Sequence, residues 1–153
     1  FGVVADNVPS QSWHGRMVVF AKVADGSETS VSFATGWVGK SGVILAYRGA
    51  SLPVAGSSLA STDGTTLTLP SVAAGAANSR LVALYGAQNH ASAAGFTPPA
   101  AMTEQAEVAT LPWLAVGAAD QTVAAGATGT RAITFATGTA LTGVMLALTP
   151  LPS

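Results

Sequence analysis

The stretch RLVALYGA (residues 80–87) runs from Leu81 to Tyr85 without a polar residue. A strand with one wet face alternates apolar and polar residues. A run that is apolar on both faces belongs to a strand covered on both sides, or to one whose outer face meets a partner. GVILAY (42–47) has the same character. These two runs are expected to hold the middle of a sheet.

Around them the dominant period is two. In WHGRMVVFAKVA (13–24), Trp13, Met17, Val19, Ala21 and Val23 share one face, with His14, Arg16 and Lys22 on the other. TSVSF, TTLTLP and RAITFA alternate in the same way, as half-buried antiparallel strands do. Asp25-Gly26, Asp63-Gly64, Gly36, Gly39 and Pro98-Pro99 supply turn chemistry between the runs. Strands are expected near 2–5, 13–24, 28–35, 42–49, 65–70, 79–87, 104–109, 112–118, 129–136 and 142–149. About ten strands at that spacing predict an all-β fold, an antiparallel, jelly-roll-like β-sandwich. Residues 50–62, rich in Ser, Ala and Gly, read as a surface loop, and a single helical turn is allowed at 70–79 or 89–95.

The tetrapeptide FATG occurs at 33–36 and again at 135–138. Each copy follows an alternating run and precedes a glycine and an apolar strand, so both read as one kind of hairpin built twice. Gly would there supply a positive φ. A phosphate loop is excluded because neither Gly36 nor Gly39 opens a helix or precedes a Lys-Ser/Thr pair.

With 153 residues the chain supports one core, read as one domain over 1–153, and beginning at Phe1 it reads as a processed product or a segment of a longer polypeptide. Only 8% of residues are charged, against about 25% in typical domains. The surface must then be clothed in small and hydroxylated residues, and association with other subunits is expected. A net charge of −1 with six scattered cations offers no footprint for nucleic acid. It offers no polybasic lipid patch, and no run of 18 apolar residues exists for membrane insertion. The absence of Cys removes disulfides, zinc-thiolate sites and thiol nucleophiles.

Catalytic motifs are sparse. AGSSLAS (55–61) lacks the second glycine of a nucleophile elbow, and His14 and His90 have no evident triad partners. Glu104 and Glu107, three apart, would point to opposite faces of a strand and could not flank one glycosidic bond. No metal-binding or cofactor-binding motif is present, so no cofactor is expected and the chain reads as non-enzymatic. Trp37 sits beyond the first FATG, where a ring serves a subunit contact or stacks on a sugar. Trp13 and Trp113 read as core.

Tyr47-Arg48-Gly49 with Pro53, Thr97-Pro98-Pro99 with Met102-Thr103-Glu104, Gly126-Ala127-Thr128-Gly129-Thr130-Arg131, and LALTP ending at Pro150 together carry a resemblance. The chain resembles a domain found in bacteriophage tail fibre and minor tail proteins. It departs in opening with Phe1-Gly2-Val3-Val4 rather than a Gly-Trp strand, and in Gln105, where such domains often have Arg. The resemblance implies a virion β-sandwich on the particle exterior, used in assembly or attachment, with no catalytic residues. Its partners would be copies of itself, about a threefold axis, and other virion proteins; a host surface glycan is the partner of the alternative, carbohydrate-binding reading.

Candidate ligand or interface residues are therefore Trp37, Tyr47, Arg48, Val82 and Arg131. Arg48 and Arg131 are expected to pair with carboxylates or backbone carbonyls. Ile44, Val82 and Leu84 are expected to meet another chain or a covering loop. Two rival readings are a carbohydrate-binding module acting through Trp37, and a depolymerase built from Glu104, Glu107, Asp120 and His14.

Overall fold

Residues 79–88 form the middle strand of a six-stranded antiparallel sheet in a computed structural model that describes residues 2–8, 15–32, 40–52, 57–88, 95–110 and 114–152. The strands are β1 (Gly2–Asn7), β2 (Met17–Ala21), β3 (Ser57–Leu69), β4 (Ala73–Ala74) and β5 (Ser79–Gln88). They continue with β6 (Phe96–Thr97), β7 (Thr103–Thr110), β8 (Leu114–Val123), β9 (Gly126–Ala127) and β10 (Arg131–Leu148). The described residues contain no helix. The chain is all-β, antiparallel and sandwich-like.

The sheet order is β3-β10-β5-β8-β7, with β6 adding to β10. β5 ladders with β10 along 80–88 and with β8 along its whole length. Period two then places Leu81, Ala83, Tyr85 and Ala87 on one face, at most 2% exposed. Against them lie Leu141 and Met145 of β10 and Ala115 and Ala119 of β8.

A break in β10 makes the second layer. Its register against β3 shifts between Thr134 and Thr139, where β6 pairs with Thr134 and Phe135. Beyond that corner the ribbon returns over the first face, so Leu67, Leu69, Ile133 and Phe135 join the same core. The closeness is measurable at Gly143, where a Cβ would lie 2.8 Å from Leu67 Cδ2 and 2.9 Å from Leu69 Cδ2. Phe96 stacks between the layers, 4.8 Å edge-on from Tyr85 and 4.7 Å from Phe135.

The opposite face is partly covered by the β1–β2 hairpin. Ala5, Met17 and Val19 pack on Val144, Leu146 and Leu84. Buried Asn7 fastens the hairpin, its Nδ2 donating to Ala60 O at 2.8 Å and Thr142 Oγ1 at 2.9 Å. Arg16 forks onto Asp6 across the same hairpin.

Several expectations are corrected. Residues 42–49 form no strand. They run as an extended strap, tied to the end of β10 by Ser51 N–H to Thr149 O (2.9 Å), Leu151 N–H to Gly49 O (2.7 Å) and an Ala50–Pro150 bridge. Residues 57–62 are strand rather than loop. Residues 129–136 and 142–149 merge into one strand, so the second FATG sits at the β10 register shift and is no hairpin turn; the first lies outside the described residues. Asp63-Gly64 likewise lies within β3, with Gly64 at φ +132 facing that shift. Residues 28–32 form no strand, and of the described part of the strand expected at 13–24, residues 15–24, only 17–21 are strand. The turns at Gly26 (φ +87) and after Pro99, which accepts Met102 N–H at 3.0 Å, form as expected.

Candidate functional site

β8 alternates, and Val116, Ala118, Asp120 and Thr122 therefore share the face turned away from the main core. Asp120 is only 4% exposed, and a carboxylate so placed must be paired. Its Oδ2 accepts the Tyr47 hydroxyl at 2.9 Å. Its Oδ1 accepts Gln105 Nε2 at 3.2 Å and Arg80 Nη1 at 3.4 Å. Burial, and then the hydrogen bond and charge of Asp120, push the Tyr47 phenol well up, so it stays a donor. The buried carboxylate thus pins three different segments: the strap, β5 and β7.

Beside this knot opens a cleft of about 320 Å³. Leu148, Arg80 and Thr122 form a row across β10, β5 and β8, since Arg80 is in register with both neighbours. The strap contributes Tyr47 and Arg48, and Gly49 at φ +70 turns the chain towards Pro150. Asn78 (φ +61) closes the near end, in a turn that Ser79 Oγ holds by donating to Ala76 O at 2.7 Å.

The five candidates separate. Tyr47 and Arg48 line the cleft together. Arg48 is exposed and has no partner among the described residues. Arg131 lies elsewhere, its Nη1 donating to Thr128 O (2.8 Å) and Thr130 O (2.9 Å) as a local clasp on its own turn. Val82 is 2% exposed, between Leu146 and Asp120 in register, so it is covered by its own chain and a neighbouring subunit has no access to it. Leu84 is likewise packed under the β1–β2 hairpin, whereas Ile44 is 73% exposed. Trp37 lies outside the described residues, as do Trp13, Trp113, His14 and His90.

The glutamates require a further correction. A bulge between Glu104 and Ala106 puts Glu104 opposite Ala119 and Glu107 opposite Gly117, hence on one face. Both charges act on the buried Tyr85 phenol, which burial first and then Glu104 and Glu107 push upward. Glu107 Oε2 also accepts Phe96 N–H at 2.9 Å. Asp120 lies on the other face, so the carboxylates of the depolymerase reading do not converge. Among the described residues no cluster of His, Cys, Asp and Glu could hold a metal.

Arg80, Gln105 and the central place of Asp120 were not evident from sequence. The usable signal was a carboxylate in phase with buried Ala118, a position that demands donors from other segments. No protein-family model, curated protein or solved structure matches the chain. No described helix is long and apolar enough to cross a membrane.

Proposed function

We propose that the chain is a non-enzymatic structural protein on the exterior of a bacteriophage particle, a tail fibre or minor tail domain or an external decoration, acting in assembly and host attachment. The tail-protein resemblance supplies the particle. One observation supports assembly: both edge strands of the six-stranded sheet expose apolar residues, Leu59 at 44% on β3 and Val108 at 43% on β7. Edges with no further strand beside them among the described residues invite another chain. With only 8% of residues charged, there is little to repel one. Copies of the chain or other virion proteins would cover these edges.

The test is to locate the chain in purified particles, by mass spectrometry of their proteins and gold-labelled antibody on intact particles. Surface labelling is expected. Particles of the producing phage that lack the chain would overturn the reading.

A further inference from the structure

We propose that the cleft between the strap and the ends of β5, β8 and β10 binds an acidic sugar, whose carboxylate lies between Arg48 and Arg80. The cations of this chain are few and mostly engaged. Of six Lys and Arg residues, Arg16 is paired with Asp6, Lys22 with Asp25 and Glu28, and Arg131 with carbonyls. Two of the four arginines nevertheless line one cleft. Arg48 has no partner among the described residues. Arg80 is held by Asp120 through Nη1 at 3.4 Å, with no other side-chain partner among the described residues. Asp120 itself already accepts three donors and bonds only one of the two arginines that line the cleft. The surplus is positive, and a planar fork of donors matches a carboxylate.

The remaining walls select a sugar over a bare anion. The Asn78 amide and Thr122 hydroxyl can meet ring hydroxyls, while Leu148 and Pro150 give an apolar surface for the C–H face. A volume of about 320 Å³ is at the small end of ligand pockets, suited to one sugar residue. The site stands apart from the particle assignment and can be tested on the isolated chain.

The experiment is a titration of the ¹⁵N-labelled chain, followed by amide and Arg Nε resonances, with galacturonate, galactose, acetate and sulfate as separate probes. Galacturonate is expected to shift Arg48, Arg80 and Thr122 with millimolar affinity and galactose to shift them little. Arg48→Ala, at an exposed position, should keep its thermal melt and bind galacturonate about tenfold more weakly. Arg48→Lys, which keeps the charge and loses the fork, should fall between. Four results would each overturn the proposal: no shift with galacturonate at tens of millimolar; equal response to galactose; acetate or sulfate as effective as galacturonate; and undiminished binding in Arg48→Ala.

Discussion

β5 and the strap at 42–49 are both extended and both rich in Val, Leu, Ala and Tyr, yet they play opposite parts. β5 has a hydrogen-bonded neighbour on each side and a core face at most 2% exposed. Among the described residues the strap has backbone bonds only at its far end, and its residues alternate between half-buried Val43, Leu45 and Tyr47 and exposed Ile44, Ala46 and Arg48. A β-run becomes a central strand only where two edges are free to receive it. Without neighbours on both sides, the same kind of run lies as a strap and offers every second side chain to solvent. Here that places Arg48 outward and Tyr47 inward.

Truncation should separate the two regions most sharply. Leu81→Ala, at a site with no exposure, is expected to cost about 2–5 kcal/mol in denaturant melts. Ile44→Ala, 73% exposed, should stay within about 0.5 kcal/mol. Equal losses would erase the distinction. A smaller cost is expected for Gly117→Ala, since its new Cβ would lie 2.3 Å from Tyr85 Cε2 and displace a ring that has no free space. Overpacking of that kind costs about 1–3 kcal/mol.

Tyr47→Phe removes the strap's bond to Asp120 and should cost about 1 kcal/mol. Tyr85→Phe sharpens the contrast between these two tyrosines. The Tyr85 hydroxyl is buried with no hydrogen-bond partner among the described residues, and its removal should leave stability unchanged or slightly raised. A loss like that of Tyr47→Phe would show that a bond had been broken. The smallest effect concerns pH. Asp25 is held down to about 2, first by the Ser27 hydroxyl, then by the Ser27 amide and Lys22. Because the folded value lies below the ordinary one, the turn's contribution is present above pH 3.8 and lost as pH falls towards 2. An NMR titration of the Asp25 carboxyl should have its midpoint near 2, moving upward in Ser27→Ala.

Much of the fold was legible in local pattern. Period two located the strands around Val19, Leu67 and Ile133, and the two-sided run of β5 marked the centre of the sheet. What escaped was non-local. Whether 42–49 joins the sheet depends on pairings made by residues far from it in sequence. The corner in β10 and the bulge at Gln105 depend on how two layers meet. That bulge reversed the expected facing of Glu104 and Glu107 and turned Gln105 to Asp120. Of the site, Tyr47 and Arg48 could be named from sequence. Their convergence with Arg80 needed the strap, which no periodicity distinguishes from a strand.

The distinction between strand and strap is tested most directly by native-state hydrogen exchange, resolved by residue. Amides of Leu81–Ala87, laddered on both sides, are expected to exchange only through global unfolding. Amides of Val43–Arg48 are expected to exchange through local opening, orders of magnitude faster, and faster again in Tyr47→Phe. Equal protection of the two segments would mean that 42–49 is a laddered strand after all, and the cleft beside Asp120 would lose the strap that builds it.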